Sequence, residues 1–350
     1  MEKGRRDFMK ISAAAALGAL LPSGANRAEA EARGTPEAPP APGPLRLLTF
    51  APKAGAAPRT GALAANGRIV DLAAAASKSK KKLSFDPARM VSLIAAGEPA
   101  LAEVRALLAA FRGDGLAVED VRLFAPIPDP VRNVFAVGWN YLEHFEEGKA
   151  LRDPNASQAL PEHPVFFTKA THVVNGPYDT IPFDPNVSTS IDWEGELAVV
   201  IGRHGRNIPE EKALDFVFGF SVINDTTARD LQQKKHGGQW FKGKSLDGHG
   251  PMGPWIVTAA GFDYDNQHLV TRVNGVVKQD ASTRQMYFKV PRIVSELSAG
   301  LTLEPGDIIA TGTPPGIGYA RKPPEFLKPG DVMETEIAGI GVIRNTIKSV

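Results

Sequence analysis

The chain contains no cysteine, which excludes both a disulfide framework and a thiolate metal site. It has almost no net charge either: 40 Lys and Arg stand against 39 Asp and Glu. A formal charge of +1 gives no electrostatic footprint for nucleic acid. The apolar run near its start, residues 11–21, falls well short of the roughly 20 residues that span a bilayer. What is present is ordinary for a soluble globular protein, with 43% hydrophobic and 23% charged residues. A length of 350 residues suits one large domain or two modest ones.

The first residues read M-E-K-G-R-R-D-F-M-K, with paired Arg5 and Arg6, then the short Ala/Leu run, then an A-x-A site at Ala28-Glu29-Ala30. This pattern predicts a twin-arginine-type signal over residues 1–30 and an exported protein, periplasmic or extracellular, with no stable membrane anchor once the signal is removed. Removal takes five basic and three acidic residues from the totals of 40 and 39, leaving 35 and 36 and a mature chain near neutrality. Residues 31–44 form a Pro/Ala-rich linker, most plainly in G-T-P-E-A-P-P-A-P-G-P from Gly34 to Pro44. Residues 45–128 read as a small α/β accessory domain: strands over 45–50 and 68–72 with a turn at Asn66-Gly67, and a helix over 99–111 with Pro99 at its first position. Lys78 to Lys82 is either a basic patch or a solvated loop. The prolines of A-P-I-P-D-P, ending at Pro130, predict a boundary, with a second domain over 129–350.

Chemistry concentrates in that second part. In S-I-D-W-E-G-E-L-A-V-V-I, from Ser190 to Ile201, strand alternation sends Ile191, Trp193, Leu197, Val199 and Ile201 to one face and Glu194 with Glu196 to the other. Two like charges held together raise each other's pKa unless a cation lies between them. A divalent metal is one reading; an edge strand with a solvated acidic face is the alternative. Farther on, an apolar strand over 216–224 delivers Asp225, which either caps the following helix or completes a three-carboxylate oxygen site suited to Mg2+, Mn2+ or Ca2+.

Before this strand, G-W-N-Y-L-E-H-F-E-E begins at Gly138. Asn140 and Glu143 have capping-box spacing. On the helix so started, His144 and Glu147 are three residues apart and share a face, so the carboxylate can fix the imidazole tautomer and raise its basicity. Lys244 lies in a Gly-rich turn where it can approach an anion. The strand over 307–311 ends in T-G-T-P-P-G-I-G, a loop whose hydroxyls and N–H groups can hold a carboxylate or simply turn the chain. Asn274-Gly275 predicts a hairpin, as does the closing A-G-I-G.

Taken in order, G-W-N-Y-L-E-H-F-E-E, E-G-E, N-D-T-T-A-R-D-L-Q, G-K-S-L-D, G-P-W-I-V-T, V-N-G, L-E-P-G-D-I-I-A-T-G-T-P-P-G-I-G and L-K-P-G-D resemble the fumarylacetoacetate hydrolase family over about residues 131–350. The resemblance implies an α+β, β-rich fold, a mixed β-sandwich roll enclosing a divalent cation, in a homodimer. It implies Glu194, Glu196 and Asp225 as metal ligands, with Mg2+ or Mn2+ expected and Ca2+ possible. It implies His144 with Glu147 as the water-activating pair on a lid helix, Lys244 as the group stabilising developing negative charge, and Tyr141, Gln232 and Thr313 at the substrate. Trp139 departs from relatives that carry Arg or Leu before Asn-Tyr. The expected activity is metal-dependent hydrolysis of a carbon–carbon bond in an acylpyruvate or related β-diketo acid. Lyase, oxo-acid decarboxylase and dienedioate isomerase or hydratase reactions are alternatives on the same scaffold; a binding protein for a metal or dicarboxylate is the non-enzymatic one.

Overall fold

The computed structural model describes residues 43–53, 55–149 and 159–350. The expected signal and most of the expected linker fall on residues outside these. Among the described residues no helix is long and apolar enough to cross a membrane.

The strand Gly195–Ile201 is central, not peripheral. It pairs antiparallel with Val217–Asn224 on one side and Ile308–Ala310 on the other, inside an 11-stranded sheet. The order continues outward through Gly250–Thr258 and Arg46–Ala51 in one direction, and through Val134–Gly138 and Val165–Lys169 in the other. All seven residues of Gly195–Ile201 are buried, which overturns the edge-strand alternative. Its two faces enter different cores. Ala198 and Val200 pack with the helices Leu72–Lys78 and Met90–Ala110. Leu197, Val199 and Ile201 pack with the helix Val290–Ser298 and with Leu269, Ile337 and Ile343 of a second, five-stranded sheet. A helical layer, a mixed sheet and a second sheet thus make the α+β, β-rich architecture.

The segment 45–128 is wired into this core. Arg46–Ala51 pairs with Gly250–Thr258, setting Leu47 opposite Ile256, and residues 43–350 belong to one compact unit. The Pro-rich turn near Pro130 therefore marks a change of direction in the chain and not a gap in the packing. Met90–Ala110 breaks at Gly97, whose φ of 62° is non-helical, so Pro99 opens a second helical stretch where its missing N–H matters least. The Asn274-Gly275 turn joins His268–Val273 to Val276–Ser282 with φ of 53° and 77°, the left-handed pair a two-residue hairpin requires.

Candidate active site

Register brings the three acids together. Gly195 lies opposite Asn224, and Asp225 N donates to Glu194 O at 2.8 Å, so the strand ends place Glu194, Glu196 and Asp225 side by side. They are 5%, 1% and 0% exposed, and ligand oxygens from all three lie within 4.8 Å of one another.

Three buried cations brace this wall. Lys244 Nζ donates to Glu194 Oε2 at 2.7 Å and to Asp225 Oδ2 at 2.6 Å. Lys169 Nζ donates to Asp225 Oδ1 at 2.6 Å. Arg229 Nη2 stands 2.7 Å from Glu194 Oε1, an ion pair lying off the hydrogen-bonding direction, while its Nε donates to Asp192 Oδ2 at 2.8 Å. Burial pushes the Glu194 carboxyl up, but Lys244 and then Arg229 outweigh it and hold the group at about 2. Burial lowers and Asp225 with Glu194 raise the Lys244 ammonium, and the carboxylates win. For Lys169, burial wins over Asp225 and its pKa falls.

Glu196 is different. Its Oε2 accepts from Gly312 N at 2.7 Å, and among the described residues it forms no ion pair. Burial, then Asp225 and Glu194, push its carboxyl well above the usual range. A hard oxygen donor set with one carboxylate lacking a counter-charge fits a divalent cation, which would neutralise the group the protein leaves unbalanced.

The loop after Ile308–Ala310 ties the site together. Gly312 and Gly316 have φ of 99° and 104°, conformations that favour glycine, and a Cβ at Gly316 would run into the Lys278 carbonyl oxygen. Its N–H groups do hold carboxylates, and they are the protein's own. Gly312 N takes Glu196, Gly316 N takes Glu147 Oε2 at 2.9 Å, and Gly318 N and Tyr319 N take Asp192 at 2.7 and 3.0 Å. Thr313 Oγ1 donates to Gly195 O and accepts from Gln279, while its residue lines the cavity.

Facing the acids is the helix Leu142–Glu147, where His144 Nδ1 lies 2.8 Å from Glu147 Oε1. The expected Asn140 cap is absent: Tyr141 occupies the N-cap position without a side-chain bond. Asn140 instead bonds Phe288 O, Phe288 N and Thr311 O, pinning the turn before the helix to two distant segments. A fully buried amide satisfies backbone groups there that no cap could reach. Trp139, at φ 55°, meets Trp240 edge-on at 5.1 Å, and Trp240 meets Phe167 at 5.2 Å.

These parts enclose a cavity of about 220 Å³. His144, Glu194, Glu196, Arg229, Gln232 and Lys244 line its polar side, and Val137, Trp139, Phe167 and Trp240 its apolar side. Lys244 ends the helix Phe241–Lys244 and so does not sit in a turn. Tyr141 is not on the cavity wall. Its ring belongs to the second core and its buried hydroxyl has no hydrogen-bond partner; burial, then Glu196, push the phenol pKa up. Sequence reasoning missed Asp192, Arg229 and Lys169. Asp192 shares the alternating row of Glu194 and Glu196, and a lone Lys closing the apolar V-F-F-T-K was the signal for Lys169.

Residues 133–348 match the family model for the C-terminal region of fumarylacetoacetate (FAA) hydrolase. The chain is 42% identical over 292 residues to oxaloacetate tautomerase YisK of Bacillus subtilis, covering 80% of this chain and 93% of that protein. It is 39% identical over 308 residues to the mitochondrial oxaloacetate tautomerase fahd2 of Xenopus laevis, covering 87% and 90%. A solved structure of fumarylacetoacetate hydrolase from psychrophilic Exiguobacterium antarcticum superposes with a TM-score of 0.70 at 38% identity, covering 87% of this chain and all of that one.

Proposed function

The chain belongs to the fumarylacetoacetate hydrolase family of enzymes, and we propose that it catalyses a divalent-metal-dependent proton transfer at the carbon beside the carbonyl of a small 2-oxo acid, with oxaloacetate the first substrate to test. The observation that carries this reading is that His144 and the carboxylates Glu194 and Glu196 line one small cavity. Its volume of about 220 Å³ lies below the roughly 300–1,000 Å³ of sites for drug-sized ligands, which favours a compact acid. The charge also suits an anion. Four buried carboxylates, Asp192, Glu194, Glu196 and Asp225, face three buried cations, Lys169, Arg229 and Lys244; a dication turns the deficit of one positive charge into an excess of one.

Glu194, Glu196 and Asp225 would hold the metal, whose Lewis acidity stabilises negative charge developing on the substrate carbonyl oxygen. Because Nδ1 of His144 is committed to Glu147, its N–H donates there and Nε2 is left as the base. Gly316 N fixes the second oxygen of Glu147, so the imidazole is oriented through two bonds. Nε2 takes the proton from carbon and returns it to the other end of the enol system. Lys244 adds positive charge at the cavity wall where the enolate forms.

A second reading keeps every residue and changes the proton donor. His144 deprotonates water, and a carbon–carbon bond of an acylpyruvate is hydrolysed. The wall of Val137, Trp139, Phe167 and Trp240 favours it, since that surface complements a hydrocarbon acyl group better than a second carboxylate. The discriminating experiment follows enol–keto exchange of oxaloacetate and the fate of acylpyruvates in ¹⁸O water, with Mg2+ or Mn2+ and with chelator. Metal-dependent acceleration of exchange without cleavage is the expected result. Solvent oxygen in a released acid would replace it with the hydrolytic reading, and chelator-insensitive rates would defeat both.

A further inference from the structure

Gln279 has no part in the chemistry above. It lies on Val276–Ser282 in the second sheet, is buried and does not line the cavity. The core beside it, with Leu269, Ile337 and Ile343, is apolar, so a buried amide there must be answered by polar partners. One partner is the strand that carries the acids. Gly195–Ile201 pairs with Ile308–Ala310 only as far as Ala198, followed by a bond from Thr311 N to Leu197 O. Beyond it side chains take over: Gln279 Oε1 accepts from Gly195 N at 2.9 Å, and Thr313 Oγ1 donates to Gly195 O at 3.0 Å. A Cβ at Gly195 would run into Thr271 and Thr335, which lie in one row with Gln279 across the second sheet. The glycine of E-G-E is therefore what lets the two sheets meet at this point.

The nitrogen of the same amide reaches the Gly-rich loop. Nε2 donates to Thr313 Oγ1 at 2.7 Å and to Pro314 O at 2.9 Å. Two residues before Pro314, Gly312 N holds Glu196; two residues after it, Gly316 N holds Glu147. One of these glutamates belongs to the acids and the other orients His144. Since a Cβ at Gly316 would run into Lys278 O, and Arg321 Nη2 donates to that oxygen at 2.9 Å, the loop rests on the backbone of the strand that carries Gln279. We infer that Gln279 is a positioning residue that pins this loop at its middle and thereby fixes how far the His144–Glu147 pair stands from Glu196. The inference rests on the proposed roles of His144 as base and of the three acids as metal holders. Proton transfer to His144 from a substrate held at the acids depends on that spacing, and a misplacement of about 1 Å costs on the order of 10²-fold in rate.

The test compares the whole parent chain with Gln279→Met, which keeps the side-chain length and removes both ends of the clamp. Asn345→Leu is the control: it removes another buried amide of the same sheet, one that donates to Gly176 O and Asp179 O, neither of which lines the cavity. Three quantities are measured: Mn2+-dependent enol–keto exchange of oxaloacetate, Mn2+ affinity by calorimetry, and the imidazole ¹⁵N spectrum, with His144 assigned by its absence from His144→Asn. In Gln279→Met, kcat should fall about 10–100-fold while KM and Mn2+ affinity stay within about threefold, and His144 should lose its single Nδ1–H tautomer as Gly316 releases Glu147. Asn345→Leu should melt lower and leave all three quantities as in the parent. An unchanged kcat, or an equal loss in Asn345→Leu, would overturn the inference. So would a fall in Mn2+ affinity as large as the fall in kcat, which would mean that Gln279 acts through Gly195 alone. If the parent exchanges no oxaloacetate the proposed function falls by itself, and the spectrum still decides, because a His144 tautomer unmoved in Gln279→Met overturns the role of Gln279. Should Gln279→Met not fold, Gln279→Glu keeps the acceptor for Gly195 N while ending the amide's donation to Pro314 O, and the same spectrum is read.

Discussion

Glu194, Glu196 and Asp225 stand at the ends of two central strands, at most 5% exposed, with a cation or an N–H on each. His144 stands on a six-residue helix that has no side-chain cap and whose first residue, Leu142, is 44% exposed. Sheet register positions the carboxylates, and register cannot slip by one residue without turning every side chain to the other face. His144 depends on fewer ties: Asn140 before the helix, the buried Phe145 within it, and the Glu147 bond to Gly316 after it. A short isolated helix is marginal in water, so the contacts made by its flanks hold it. On the proposed function, metal holding and proton transfer fall to parts with unequal support, and they should be separable by mutation.

The largest effect belongs to the strand-borne side. Glu196→Gln keeps the shape and removes the acid of the triad that has no ion-pair partner among the described residues. Losing a buried charge partner of a cation corresponds to about 3–5 kcal/mol, or roughly two to four orders of magnitude in affinity, so Mn2+ binding by calorimetry and turnover should collapse together. The metal-free variant should nevertheless melt higher than the metal-free parent, because Asp225 and Glu194 no longer crowd a third carboxylate. A melting point that falls would mean that Glu196 is balanced by something other than a metal.

His144→Asn probes the other side. Turnover should fall by about 10²–10⁴-fold with Mn2+ affinity unchanged. If the metal affinity falls as well, the two regions are one unit and the contrast drawn above fails.

The smallest effect on turnover is expected from His249, which precedes the strand Gly250–Thr258 and lies in neither region. It is buried, its Nε2 meets Pro182 O at 2.8 Å and its Nδ1 has no partner. Burial, against that hydrogen bond, lowers its pKa from 6.5 to about 4. The sign follows from proton counting. Between these values the unfolded chain binds the proton and the native chain does not, so stability declines as pH falls from 6.5 to 4, by about 3 kcal/mol in all. His249→Gln should remove this slope from urea midpoints measured over that range and leave turnover at neutral pH alone. Parallel slopes in the parent and variant would assign the acid sensitivity elsewhere.

Several of these parts were legible before any fold was known. The E-x-E alternation, Asp225 after an apolar strand, His144 and Glu147 at helical spacing, and the Asn274-Gly275 turn are local patterns, each set by a backbone period or by the φ of a single residue pair. Asn140 shows the limit of that reading. Its spacing to Glu143 satisfies a capping rule, yet its amide is used by Phe288 and Thr311, 148 and 171 residues away. Tyr141 shows another, since the family resemblance put it at the substrate and the packing puts its ring in the second core.

The sequence by itself determined the three neighbouring acids, the His144–Glu147 pair, their backbone periods and the family. The tertiary structure alone decided that Lys169, Arg229 and Asp192 converge on those acids, that residues 45–128 share the sheet that carries them, and that the Gly-rich loop spends its N–H groups on Glu196, Glu147 and Asp192. The physical reason is range. Periodicity fixes which way neighbouring side chains point, whereas the partner of a buried charge is whatever distant segment the sheet order brings within hydrogen-bonding reach, and no local pattern encodes that order.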